Sequence, residues 1–545
     1  MNRIKSLIFR CILPLAAISL PFAVAALVTE NIALRLCAIA IAIVGAFIYT
    51  NKLHREDFDI ESRFQKSVFA SVLIITVVFS FIVCGISIED EWMHDYPLKG
   101  KVDDYGCYPQ MFDAFQKGQL NIDSEYDLSP IDALENPYDT AARREATGEK
   151  FSVIWDRAYF QGKLYSYFGI APVVFLYYPV YFLTGKVLSD ALASAIMAAL
   201  GAVFMMLVLR ELCRRMNNKP PFLLFIIGAV TLPCGSLLWS TVTCANFYHL
   251  AVLSGICAVC AIFFHVLKAD SLPDGIKRKL HFACAGVCVA ATVASRPNMV
   301  LYMLIAMPLL VSIIIKRPHG ARGLATDIAS FCVPMVMLGV LIMLYNHARF
   351  GSVFDFGANY QLTLTDTSTY SLSSALAMPA LYHFFLQSPE FDLVFPFLHP
   401  ASRRLSSYDV QRLVYTSRSV GSIFFPCTWG VAGIATLWRE SKRKFITAVL
   451  AFLCVTFMAV FDLCYGGVHL RYAADIMFIL SLLGVYLLIS AVARAKKGSL
   501  LYVTLYTLVI VLCVVTVLVE LPLLFDNERD MILKYHPQIY NFIKG

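Results

Sequence analysis

A succession of long apolar runs, separated by short segments rich in lysine and arginine, limits this chain more than any other feature. A helix needs roughly 20 apolar residues to cross the hydrocarbon core of a bilayer. Runs approaching that length lie near 7–28, 32–50, 67–88, 187–210, 221–241, 245–267, 280–296, 298–315, 325–346, 419–438, 445–464, 472–493 and 500–520. Apolar residues make up 59% of the chain and charged residues 15%, which is the balance of a membrane protein rather than a soluble domain. The expected fold class is all-α, a polytopic membrane helical bundle of about 13 transmembrane helices. A cleavable leader ending near Ala23-Val-Ala25 is the other reading of the N-terminus. The apolar run continues to Val28 and a second begins at Ile32, which favours a membrane hairpin.

Charge gives the order of the spans. With the N-terminus cytoplasmic, every predicted inner segment is basic: Lys52 to Lys66, Arg210 to Lys219, Lys268 to Lys279, Lys316 to Arg322, Arg439 to Lys444 and Arg494 to Lys497. The C-terminus then falls outside. Counting the apolar stretch 170–183 as a span would put Arg210, Arg214, Arg215 and Lys219 on the wrong side. That stretch is also short and interrupted by Pro172 and Pro179, so it reads as an interfacial or re-entrant helix. The expected organisation is an N-terminal hairpin with its basic inner loop (1–66), a core (67–493) with outer loops at 89–186 and 347–418, and a last helix with a short outer tail (494–545). The cysteines lie mostly inside apolar runs, where Cys behaves as a small hydrophobe, and no spacing suggests a disulfide framework or a metal cluster.

Within the first outer loop, Asp103 and Asp104 stand together ahead of a helical pattern. Tyr108, Met111, Phe112 and Phe115 fall at i, i+3, i+4 and i+7 and make one apolar stripe, with Gly118 as a stop. Such a helix is expected to lie flat on the membrane, apolar face down. A carboxylate at its front can serve as general base for a hydroxyl. The structural alternative is that Asp104 caps the helix, which leaves Asp103 free.

Three other places carry chemistry. The stretch from Trp155 to Pro172 is dense in aromatics, including Tyr165, and reads either as an interfacial belt or as a sugar-stacking surface with Asp156, Arg157 and Lys163 as polar contacts. The outer turn His469-Leu-Arg471-Tyr472 offers a guanidinium suited to phosphate, with Asp475 and Asp462 nearby as partners in the structural reading. Arg296 sits in a turn between two spans, ahead of Pro297, as a second phosphate candidate. Arg349 is a further cation near the outer side.

In order and in side of the membrane, these pieces resemble the GT-C-fold glycosyltransferases, the membrane enzymes related to protein O-mannosyltransferases and the aminoarabinose transferase of lipid A. Asp103, Asp104, Tyr108 and Gly118 fit that class's form D-(D/E)-x-x-x-Y followed by Gly. The Pro-containing stretch Ala171 to Gly185, the turn Ser295-Arg-Pro-Asn298 and Arg471-Tyr472 resemble its later elements. Two departures are the additional hairpin at 7–50 and the lack of a large soluble C-terminal domain, which argues against oligosaccharyltransferases.

The resemblance implies a polyprenyl-phosphate-linked sugar as donor, entering from the bilayer, and a glycan, lipid or protein hydroxyl as acceptor, with no nucleic-acid partner. It implies Asp103 as base in an inverting transfer, with Asp104 beside it. The implied substrate contacts are Arg471, Tyr472, Arg296, Lys163, Tyr165, Trp155, Arg349 and Tyr108. Some members of the class use a divalent metal and others do not, so a metal cofactor stays open. A lipid-linked-sugar flippase or transporter, a cell-surface polysaccharide polymerase and a non-catalytic assembly protein are the competing readings.

Overall fold

The structure is a computed structural model that describes residues 53–88, 91–99, 105–124, 127–148, 156–316, 320–405, 416–438, 440–526 and 530–544. The expected hairpin at 7–50, the pair Asp103 and Asp104, and Trp155 lie outside these residues.

Among the described residues, nine helices are long and apolar enough to cross a membrane. They are Arg63–Gly85, Asp190–Arg214, Phe222–Thr243, Phe247–Ser271, Pro297–Lys316, Gly320–Phe350, Lys442–Gly466, Leu470–Arg494 and Leu500–Leu523. Several begin on side-chain caps that the sequence supplies. Ser189 Oγ accepts from the Leu192 amide at 3.2 Å, Asn246 Oδ1 from Tyr248 at 2.9 Å, and Ser499 Oγ from Tyr502 at 3.1 Å. The helices Asp190–Arg214, Phe222–Thr243, Phe247–Ser271 and Leu470–Arg494 are the most enclosed of the nine and form the centre of the bundle.

Two expected spans differ from the sequence reading. Near 280–296 a helix forms, Ile276–Val293, but its first turn carries Lys277, Arg278 and Lys279, so it is not among the nine. Arg278 is buried and pairs with Asp327 at 2.8 Å, which ties this helix to Gly320–Phe350. Near 419–438 no continuous helix forms. Short 3-10 turns at Ser422–Phe424 and Pro426–Gly433 lead into Ile434–Leu437. Pro426 and three glycines break the run, and the backbone there lies directly on the Leu470–Arg494 helix. A Cβ on Gly484 would stand 2.3 Å from the Cys427 carbonyl oxygen, and one on Gly430 2.3 Å from that of Gly484. Small residues let backbones approach in this way. Gly484→Ala is therefore expected to destabilise the protein by roughly 1–3 kcal/mol through overpacking. Gly339→Ala, with nothing within 4 Å of the new methyl, is the neutral control. The measurement is thermal unfolding of both variants in detergent.

The chain is mostly helical, as expected, but not purely so. Four two-stranded antiparallel ribbons occur among the described residues: Met93–Asp95 with Lys186–Leu188, Ala158–Phe160 with Lys163–Tyr165, Glu390–Phe391 with Leu398–His399, and Ala401–Arg404 with Thr416–Ser419. All belong to the two long loops. The basic segments gather at the other end of the bundle, where Lys497 pairs with Asp57, Arg494 with Glu440, and Arg215 with Asp270.

The two long loops are stitched together over the loop-rich end. The Asp156 amide donates to the Leu362 carbonyl at 2.9 Å, and the Leu362 amide returns a bond to Arg157 at 2.9 Å. Arg143 donates to the carbonyls of Pro137 at 2.9 Å and Thr363 at 2.5 Å, and Thr140 Oγ1 donates to the same Thr363 carbonyl at 3.0 Å. Arg143 is fully buried, and that burial lowers its pKa to about 10.

The helix Cys107–Gln116 forms where the apolar stripe predicts it. Its stripe does not face lipid. Phe112 packs against Tyr96, Tyr178 and Tyr181, Tyr108 against Phe168 and Tyr177, and Phe115 against Tyr345. The aromatic side chains of the short helical stretch Val173–Thr184 cover the face that the sequence reading gave to the bilayer. The N-cap position is Gly106 rather than Asp104. A Cβ there would meet Asp190 Oδ2 at 1.7 Å, so any larger residue at this entry to the helix requires the Asp190 carboxylate to move.

Candidate functional site

At the loop-rich end a cavity of about 220 Å³ opens between the spans and the two stitched loops. The late helices supply His469, Arg471 and Tyr472, and Phe247–Ser271 supplies Tyr248. The first loop contributes Asp156 and Tyr167, and the second contributes Thr363, Thr365, Thr367 and Tyr370. Hydroxyls, aromatic faces, a guanidinium and a carboxylate thus converge from four separate parts of the chain. Aromatic faces with hydroxyl partners suit a polyhydroxylated ligand, and a guanidinium suits a phosphate or carboxylate.

Arg471 is held by aromatic rings. Its guanidinium lies 4.9 Å from the Tyr248 ring centre and 4.8 Å from that of Tyr472. The Tyr472 ring has Arg296 5.3 Å from its centre as well. Gly466 makes room for that ring, since a Cβ there would come within 2.6 Å of it. Arg296 has a different environment from Arg471. It pairs with Asp475 and stands 3.6 Å from Asp462, and both carboxylates are buried. Asn298 donates to Asp462 at 3.4 Å, and the Tyr302 hydroxyl donates to the Asp475 carbonyl at 2.5 Å. In sequence, Asp462 and Asp475 are the natural partners of Arg471; in the structure both are held by Arg296.

The other candidate residues are dispersed. Lys163 is exposed on its ribbon. Tyr165 is buried there against Phe350, and burial raises its pKa. Arg349 is buried, donates to the Ser166 carbonyl at 2.6 Å and to Asn346 at 2.8 Å, and stacks 3.9 Å from the Tyr345 ring centre. Tyr108 is fully buried and does not line the cavity. Of the proposed contacts, Arg471 and Tyr472 line the cavity and Arg296 lies directly behind Tyr472.

The segment that follows the acidic pair in sequence is tied to this region. The Gln110 side chain accepts from Arg157 Nε at 3.1 Å and Nη2 at 2.9 Å, and donates to the Tyr105 carbonyl at 2.9 Å. Arg157 follows Asp156, which lines the cavity. Tyr105 follows Asp104 in sequence. Cys107 lies within electrostatic reach of Arg157, Asp190 and Asp156, and burial pushes its thiol up to about 12.

Sequence reasoning missed Tyr248 and the threonines, whereas Asp156 and Tyr167 belong to the aromatic stretch it marked. Thr363, Thr365, Thr367 and Thr369 alternate, but Thr367–Thr369 form a 3-10 turn, and of the four only Thr363, Thr365 and Thr367 line the cavity. Among the described residues no group of three or more His, Cys, Asp or Glu side chains is arranged to hold a metal ion.

No family model and no curated protein matches the sequence. Three solved structures are similar to the chain. ArnT from Cupriavidus metallidurans bound to undecaprenyl phosphate shares 13% identity at a TM-score of 0.38, over 83% of this chain and 77% of that one. The same protein in its apo state gives 13% and 0.38, over 84% and 78%. The Archaeoglobus fulgidus oligosaccharyltransferase in its apo form gives 13% and 0.44, over 84% of this chain and 57% of that one, so the chain spans just over half its length. At these scores no residue role is carried over from them.

Proposed function

We propose that this protein is a membrane glycosyltransferase that moves a sugar from a polyprenyl-phosphate donor to an acceptor hydroxyl at the loop-rich end. The observation that carries the proposal is the convergence of Arg471, its flanking tyrosines and the hydroxyl-bearing loop on one cavity, beside the loop that follows the acidic pair. The motif order of the GT-C class supports the same reading. The positive-inside pattern of the sequence supports an orientation with this end outside the cell membrane.

In this mechanism Asp103 takes the proton of the acceptor hydroxyl as its oxygen attacks the sugar C1. The bond from C1 to the phosphate oxygen breaks on the opposite face, and the anomeric centre inverts. Negative charge grows on the departing lipid phosphate, and Arg471 stabilises it. A guanidinium held between rings is already oriented, so little reorganisation accompanies the reaction. Tyr248, Tyr167 and the threonine-bearing loop are the surfaces against which the sugar and acceptor rest.

The test uses the full chain in liposomes with a radiolabelled polyprenyl-phosphate sugar. Transfer releases free polyprenyl phosphate and moves label to the acceptor. A flippase relocates the labelled lipid with no release, and a polymerase gives a ladder of products on a gel. Arg471→Ala is expected to lower turnover about 10²-fold, the usual cost of removing one charge stabiliser, with Arg471→Lys between it and the native protein. Release at the native rate in Arg471→Ala would remove that residue from the mechanism.

A further inference from the structure

A second cavity, of about 230 Å³, lies at the basic end, between Asp190–Arg214, Phe247–Ser271, Pro297–Lys316, Lys442–Gly466 and Leu470–Arg494. Its wall is apolar, with Val208, Phe263, Ile305, Ala306, Ala448 and Ile479 among its residues. Its rim carries Arg215, Arg443 and Lys444. A polar recess of about 340 Å³ adjoins it, shares Arg443, and adds Lys316, Ser312 and Asp270. Four cationic side chains and one carboxylate therefore face the two spaces.

Part of that charge is already used. Arg215 pairs with Asp270 at 2.6 Å, and Lys444 pairs with Glu440 at 3.2 Å. Arg443 donates to the neutral Ser312 hydroxyl at 3.1 Å. Among the described residues no carboxylate pairs with Arg443 or Lys316. The combination is an apolar cleft between helices next to two cations with no paired carboxylate among the described residues.

We propose that this is a binding site for an anionic phospholipid, with an acyl chain in the cleft and the phosphate between Arg443 and Lys316. A soluble anion would satisfy the cations but leave the apolar wall wet, whereas a lipid satisfies both. The site is separate from the candidate active site. Arg443 and Leu463 lie twenty residues apart on one helix, about 30 Å at 1.5 Å per residue. Leu463 lines the other cavity. A donor whose phosphate rests at Arg471 cannot also place it at Arg443, and the inference does not depend on the proposed transfer activity.

Native mass spectrometry of the delipidated full chain tests it, with phosphatidylglycerol, phosphatidylcholine, inorganic phosphate and undecaprenyl phosphate as probes. Phosphatidylglycerol is expected to bind at least tenfold more tightly than phosphatidylcholine. The double variant Arg443→Glu/Lys316→Glu loses that preference and keeps the phosphatidylcholine value. Ala306→Phe, which fills the cleft and leaves both cations in place, weakens phosphatidylglycerol as well. Equal binding of the two phospholipids by the native chain overturns the proposal without any variant. So does displacement of phosphatidylglycerol by inorganic phosphate, or undecaprenyl phosphate binding with the same dependence on Arg443.

Discussion

Arg296→Leu is expected to destabilise the protein by about 3–5 kcal/mol, the cost of removing one partner from a buried ion pair. Asp462 and Asp475 are both buried, and Arg296 pairs with Asp475 and stands 3.6 Å from Asp462. Without the guanidinium, two carboxylates are left in an apolar interior, where an uncompensated charge is most costly. The measurement is the unfolding temperature in detergent, read by size-exclusion fluorescence. Adding Asp475→Asn to Arg296→Leu is expected to recover part of the loss, because one of the stranded charges is gone. This pair of variants also decides what Arg296 does. If its task were to grip a donor phosphate, Arg296→Leu would remain as stable as the native protein and lose only turnover.

Asp103→Asn is expected to lower sugar transfer at least 10²- to 10⁴-fold, the usual contribution of a general base. The amide has nearly the same shape but cannot accept the acceptor's proton at neutral pH. Expression, membrane insertion and unfolding temperature are expected to match the native protein. Asp104→Asn is the control, and a far smaller effect from it assigns the proton to Asp103. The readout is free polyprenyl phosphate released per unit time in reconstituted liposomes. Near-native release by Asp103→Asn would remove that residue from the mechanism and leave the rest of the cavity to be explained in another way. A charge stabiliser and a base predict different pH behaviour. Loss of the base leaves a residual rate that rises as hydroxide takes over its role, whereas loss of Arg471 lowers the rate at every pH and leaves the profile unchanged.

Much of the architecture was legible because it is local. Nine of the eleven expected spans that fall on described residues are helices able to cross a membrane. Apolar length and basic flanks are properties of a single run, and the bilayer imposes them directly. The stretch 170–183 also read correctly as a short helix, because its prolines and the charge order both spoke against a span. The run at 419–438 misled for the same reason that the others did not. Its hydropathy is that of a span, but its backbone is folded by Pro426 and by contact at Gly430 and Gly484, and the second of those glycines is in another helix.

The sequence by itself determined that the chain is a bundle of apolar helices, which end of each helix is basic, and which polar residues lie near the opposite end. It did not determine which charges pair. Arg296 and Asp475 are 179 positions apart, and only the packed bundle brings them together while leaving Arg471 between two tyrosine rings. The threonine loop comes to rest over the cavity because Arg143, Asp156 and Arg157 hold its backbone from the other large loop. Hydropathy depends on the residues within one run. Ion pairs and loop docking depend on distances that exist only after every run has found its neighbours, and the tertiary structure alone decided those.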